Sequence, residues 1–490
     1  VCEREKVSLG IIEEIVMKHR SSKNLAGTAI VQGGVLQVLF CLILFVGIAE
    51  QANAGWEQVS GILSGIKAPH FSERDFNIID YGAVGDGKTD CTEAFTKAIS
   101  AAHEAGGGRV MVPTGSFLSG AIHLKSNVNL HISDSAVIKF SVDPNSYLPS
   151  VYTRFEGVEC MNFSPLIYAY EQENIAITGK GTLDGQASDE NWWQWKNTQG
   201  EDVKALRNHG EEGIHVEKRV FGGGKKLRPN MIQPYKCKNV LIESVTIKNS
   251  PMWHIHPVLS TNIIVRNVKV IGHGPNNDGC NPESCKDVLI EGCFFDTGDD
   301  CIAIKSGRNN DGRRVNVPSE SIIIRNCQMK DGHGGVVIGS EMTGGARNIF
   351  AENCTMDSPN LDRALRIKTN SVRGGTVENV YLRSVKIGQV DEAVLKINFY
   401  YGEGDTGNYP PTVRNINLEN VTSEKSKYAL LIRGYDRSPI AGICLKDCTF
   451  NNVQKSNVLV GVKNLTLENV KINGEVFDSA DKKLAVPSRN

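Results

Sequence analysis

Nine segments of this 490-residue chain can be laid one under another, and that repetition constrains the fold more than any other feature. They read NVLIESVTI from Asn239, NIIVRNVKV from Asn262, DVLIEGCFF from Asp287, SIIIRNCQM from Ser321 and NIFAENCTM from Asn348. NVYLRSVKI from Asn379, NINLENVTS from Asn415, GICLKDCTF from Gly442 and NLTLENVKI from Asn464 complete the series, at intervals of 22 to 36 residues. Apolar and polar residues alternate within each segment, the period-2 pattern of a strand with one buried face. A unit this short cannot bury a core alone, so neighbours must stack as a solenoid.

Leucine-rich repeats would need an LxxLxL spacing and a helical segment in each unit, and neither is present. Strand-turn-strand units of about 22 residues instead predict an all-β, single-stranded, right-handed parallel β-helix, with strands of successive coils about 4.8 Å apart. The seventh repeat position alternates valine (Val245, Val268, Val385, Val421, Val470) with cysteine (Cys293, Cys327, Cys354, Cys448), so a small apolar side chain points inward there. Those four cysteines are therefore expected in the core. Forty-nine glycines fit a chain with many tight turns. Ahead of the repeats, Asp90-x-x-Glu93 resembles a capping box, followed by Phe95, Ala98, Ile99 and Ala102 on one helical face and Gly106-Gly107-Gly108 as a stop. That helix is expected to cap the open first coil, whose bare strand edge would otherwise invite aggregation.

Residues 1–54 read as a non-mature leader. After Met17 come Lys18, His19, Arg20 and Lys23, then an apolar run from Val35 to Ala49 and the small-x-small site Ala52-Asn53-Ala54. That order predicts a secretion signal over residues 17–54. Residues 55–74 read as an N-terminal linker, 75–475 as the catalytic β-helix and 476–490 as a C-terminal tail. Export to the extracellular space or cell wall agrees with sequons at Asn162, Asn353, Asn420 and Asn464. Lys+Arg number 54 against 55 Asp+Glu. That balance argues against a nucleic-acid or acidic-membrane binder, and the mature form is expected to be a monomer free of the membrane.

Counting from each repeat start to its following turn brings chemistry to one face. Successive units place Trp253 and His254, then Asn276, Asn277 and Asp278, then Asp299 and Asp300, then His333, then Arg366 and Lys368. Acids followed by cations along one line suit a groove for a polymer with anionic groups. Asp278 precedes Asp299 by 21 residues, about one coil. Carboxylates so placed can reach the ~6.5–9.5 Å separation of an inverting glycosidase. Three clustered acids do not all ionise, so one should keep a proton. Singly, an Asp-Asp pair beside glycine is usually a turn, and three oxygen ligands could also hold Ca²⁺. Their shared repeat phase favours catalysis, with no cofactor or metal required.

Asn276-Asn277-Asp278-Gly279, Gly298-Asp299-Asp300-Cys301, Gly332-His333-Gly334 and Arg366-Ile367-Lys368 resemble, in order, the four signature motifs of the polygalacturonases of glycoside hydrolase family 28, pectinases on a pectin-lyase-like solenoid. The opening NIIDYGAVGDGKTDCTEAFTKAI (Asn77–Ile99) is similar too, so the resemblance spans about residues 75–475 and leans towards plant-type enzymes. It implies a secreted inverting hydrolase of α-1,4-galacturonosyl bonds in pectin. Asp299 would be the general acid, Asp278 and Asp300 would activate water, and His333 would support the acid. Asn276, Arg366, Lys368 and Tyr401 would bind substrate, with Tyr400 an alternative to Tyr401. The first motif departs from the usual Asn-Thr-Asp, and the family's cysteine before the Gly-His-Gly motif is absent, which leaves Cys301 free or paired with Cys280 or Cys285. Long insertions at Gly185–Pro234 and Gly307–Pro318 could close one end of the groove, favouring exo over endo cleavage. A rhamnogalacturonan hydrolase, or a β-helix that only binds cell-wall polysaccharide, are the alternatives.

Overall fold

The computed structural model describes residues 55–478, so the leader and the last part of the tail lie outside the described residues. Three parallel faces wind around one apolar core. One face is a 13-stranded sheet built from the first strand of every repeat, and the second is a 14-stranded sheet built from the next strand. The third face joins a three-stranded and a six-stranded sheet through single bridges at Ile255, Cys280 and Ile302. The coil is right-handed. Its last strand, Glu475–Phe477, turns back antiparallel on Val470–Ile472, so the chain is still paired where a tail was expected.

The repeats stay in register through turn chemistry. The first residue of all nine units has φ between +54° and +65°, a region where Asn, Asp and Gly are least penalised. Asn side chains then bond from coil to coil: Asn262 donates to Asn239 (2.6 Å), Asn239 to Asn174 (2.8 Å) and Asn174 to Asn127 (3.0 Å). Asparagine, rather than the abundant glycine, therefore supplies six of the nine left-handed repeat starts. The seventh-position valines and cysteines are buried at 0–1% exposure, as expected. Among the described residues every cysteine is a free thiol, so Cys301 pairs with neither Cys280 nor Cys285, and its Sγ donates to the Asp331 carbonyl.

Two N-terminal readings need correction. The stretch read as a linker carries a helix, α1 (Glu57–Gly65), and Trp56, Val59 and Ile66 pack on an outward row of Ala176, Leu241, Ile264, Leu289, Ile323, Phe350 and Tyr381. The first-sheet strands thus bury both faces, because the residue between the two inward ones is apolar and needs a cover. The second helix, α2 (Thr92–Glu104), does bury Phe95, Ala98, Ile99 and Ala102 against the core. Its start is not a capping box: Asp90 accepts from Thr92 N–H (2.9 Å) while Glu93 pairs with Lys97. Of the sequons, Asn162 is 2% exposed and donates to the Leu227 carbonyl, so it cannot carry a glycan in the folded protein; Asn353, Asn420 and Asn464 are exposed.

Candidate active site

The third face carries the chemistry. Bridges Cys280↔Ile302 and Ile302↔Val336 put Asp278 and Asp300 in one repeat phase, and Asp299 and His333 in the phase one residue earlier. Arg366 and Lys368 do not continue that line. They lie on strand Arg363–Lys368, level with Val337 and Gly339 of the preceding coil. Turn lengths differ between units, so counting from repeat starts misplaced this motif by a few residues. The result is an acid row beside a cation row. Close stacking of the coils needs glycine here: a Cβ on Gly332 would stand 2.6 Å from the Asp299 carbonyl oxygen, and one on Gly279 2.4 Å from that of Cys301.

Asp278, Asp299 and Asp300 each offer a carboxylate oxygen within 4.8 Å of the others. That is tighter than the separation expected from sequence. Asp278 accepts from Asn281 (2.8 Å) and faces Lys305 (3.8 Å), and Lys368 holds Asp300 at 2.7 Å, with Arg366 at 3.5 Å. Asp278 and Asp300 are almost wholly buried, whereas the Asp299 side chain is 18% exposed and bonds His333 Nδ1 at 2.9 Å. Two ammonium groups already sit against these acids, where a divalent cation would have to bind.

Environment separates the acids. Burial, and next the charge of Asp299, push the Asp278 carboxyl well above the usual carboxylate range, so it keeps a proton. Burial also pulls Asp299 upward, but His333, Lys368 and Lys305 outweigh it and hold Asp299 well below. The Asp299 hydrogen bond raises His333, so this pair rests as imidazolium and carboxylate.

These groups line a cavity of about 770 Å³ together with Asn276 and Tyr401. All eight residues expected at the site are therefore brought together. Asn276 stands at φ +58° and accepts from Arg228 (2.8 Å). Tyr401 lies under Arg366 and Lys368 (5.6 and 5.5 Å to the ring centre), whereas Tyr400 points away onto Tyr435. Sequence reasoning missed Lys305, Glu341 and Arg308, a buried chain that lines the same cavity: Lys305 bonds Glu341 at 3.1 Å and Arg308 reaches it at 3.4 Å. One signal was available. Ile304↔Ile338↔Ile367 puts Lys305 in the same phase as Lys368, so Ile304-Lys305 repeats Ile367-Lys368 two coils earlier.

The insertions are structured rather than loose. The hairpin β1 (Val151–Phe155) and β2 (Val158–Asn162), helix α3 (Gly200–Glu211) and helix α4 (Asn309–Val315) pack together at the groove's margin. Glu156 at the hairpin tip and Arg207 of α3 reach the cavity, paired at 2.7 Å.

The sequence profile of glycosyl hydrolases family 28 matches residues 107–474, about three quarters of the chain. The chain belongs to family 28. It is 30% identical over 439 residues to a probable polygalacturonase of Vitis vinifera, covering 86% of this chain and 83% of the relative. An exo-poly-alpha-D-galacturonosidase of Dickeya chrysanthemi is 27% identical over 459 residues, covering 81% of this chain and 74% of that one. Among solved structures, a hyperthermoactive exopolygalacturonase from Thermotoga maritima superposes with a TM-score of 0.84 at 48% identity, over 86% of this chain and 97% of that one.

Proposed function

We propose that this family 28 enzyme is a secreted exopolygalacturonase that hydrolyses α-1,4-galacturonosyl bonds of pectin in the cell wall, with inversion and without a metal. The observation that carries this reading is the single cavity in which three carboxylates, an imidazole and the Arg366–Lys368 pair converge. A uronate polymer needs both sets: cations for its carboxylates, and an acid and a base for its glycosidic bond. A guanidinium can grip a carboxylate at two points, which suits Arg366 beside the scissile bond.

Exposure assigns the roles. Of the three acids Asp299 is the most exposed in the groove, so it delivers the proton to the leaving oxygen. That proton is stored on His333 and crosses their 2.9 Å bond. A substrate carboxylate on Lys368 removes part of the charge that holds Asp299 low, which favours the transfer. Asp300 takes the proton of the attacking water, and protonated Asp278 orients that water. Spacing alone would fit a retaining enzyme equally well. Inversion is favoured because Asp278 and Asp300 are too buried to attack a sugar carbon themselves, which leaves water as the nucleophile.

Exo action is supported by the hairpin and α3, which bring Glu156 and Arg207 into the cavity wall, and by the exo-acting relatives. Among the described residues no helix is long and apolar enough to cross a membrane. Incubation of the mature protein with polygalacturonate should release monomer from the first time point, with no unsaturated product and no loss in EDTA. Proton NMR of the first turnovers should show the β-anomer. Early oligomers would overturn exo action, and an α-anomer would overturn inversion.

The shared proton fixes the pH dependence. A raised His333 value means the proton is held below that value and lost as pH rises through it. The alkaline limb of kcat/KM should therefore follow the His333–Asp299 pair. In His333→Asn, which stores no proton, this limb should move to lower pH while the acid-side rate stays within about tenfold. A limb that does not move would refute proton storage on His333.

A further inference from the structure

Two cations of the cavity wall take no part in this chemistry. Lys196 and Arg207 both belong to the 185–234 insertion and line the catalytic cavity beside Glu156. The insertion is tied to the coil before Asp278 and to the Asp278 turn itself: Trp193 Nε1 donates to the Ser250 carbonyl (3.0 Å), and Arg228 Nη2 to Asn276. Arg366 and Lys368 belong to a coil after it, so the two cation pairs reach the cavity from different segments of the chain. Lys196 has no ion-pair or hydrogen-bond partner among the described residues. Arg207 is engaged by Glu156 through one terminal nitrogen, and its side chain is otherwise 41% exposed. A guanidinium held at one corner, with a donor left over beside a free ammonium, is a site prepared for an anion.

We propose that Lys196 and Arg207 bind the carboxylate of the terminal uronate unit of the substrate, with Glu156 positioning Arg207. This inference rests on the exo-acting reading above and names what that part of the wall recognises. The insertion then does more than line the groove. It selects a chain end that carries a charged sugar, and it discriminates against a neutral hexose there.

The test is a cycle between enzyme and substrate. Trigalacturonate is compared with two trisaccharides in which the carboxyl of one terminal unit or the other has been reduced to the alcohol. Each is assayed with the wild type, Lys196→Met and Arg207→Gln, with melting temperatures as a folding control. One reduced substrate should lose about tenfold in kcat/KM with the wild type, and each variant should lose about tenfold on native trigalacturonate. Combined, the two changes should cost little more than either alone, because both remove the same contact. Losses that multiply, or a wild type indifferent to both reductions, would overturn the inference while leaving polygalacturonate hydrolysis intact. A variant effect that grows with chain length would also overturn it, since the contact would then lie in the cavity of about 340 Å³ beyond Lys196, Arg207 and Glu156. No cleavage of native trigalacturonate by the wild type would refute the underlying function and this inference with it.

Discussion

Asp299→Asn should lower kcat on polygalacturonate by about 10³-fold or more, while the melting temperature stays within a few degrees of wild type. The substitution removes only the ability to carry a proton. Oδ1 of Asp299 accepts from the Asp300 N–H at 2.9 Å and faces His333 Nδ1 at 2.9 Å, and an amide oxygen can keep both contacts. Asp278 is not placed to take over as the acid, because it is almost wholly buried. Asp300→Asn would be a poorer probe, since it strips Lys368 of its 2.7 Å partner and mixes structural with chemical loss. Reducing-end release by the Asp299→Asn protein at more than a tenth of the wild-type rate would remove Asp299 from the role of acid.

The fold was legible because a solenoid writes its period into the sequence. Small apolar residues from Val245 to Val470 mark one inward position in nine coils, and all of them are buried. The corners were legible only in part. Asn239, Asn262 and their equivalents were visible as repeat starts, but their left-handed backbone and their ladder of side-chain bonds follow from stacking, which no single segment reveals. The acids were found because Asp278, Asp299 and Asp300 fall in turns of constant phase. Arg366 and Lys368 were found by motif and placed a few residues out of line, since unequal turns break the count. The buried charges beside them were hidden for a different reason. Arg308, Glu341 and Arg373 come from loops after the third strand, where length varies from coil to coil, so their convergence is a property of the folded groove alone. The cover provided by α1 was missed because its helix is short and its partners are spread over seven coils.

Arg154→Met should destabilise the protein by about 3–5 kcal/mol, the cost of stranding buried carboxylates without their cation. Arg154 on β1 is 1% exposed and joins Glu283 (3.0 Å) to Glu159 (3.3 Å). Glu283 also accepts from His256 (2.8 Å) and from the Gly307 N–H (3.0 Å), in the coil that carries Asp278. Glu159 is further bonded by Tyr152, Tyr235 and Arg314, and its N–H donates to Asp311 of α4. One guanidinium thus ties the hairpin and α4 to the floor of the groove, and methionine keeps its bulk but none of its donors. The melting temperature should fall on the order of 5 °C or more. A shift of less than 1 °C would mean that the network contributes nothing net. Acid supplies an independent check. Burial raises the Glu159 carboxyl, but Arg154, Tyr235 and Arg314 overcome it and depress the value to about 2. A depressed acid stabilises the fold above its ordinary value of about 4.5, and that stabilisation is lost as pH falls through the folded value. The melting curves of wild type and Arg154→Met should therefore converge as pH drops from 5 towards 2, because the wild type alone has this interaction to lose.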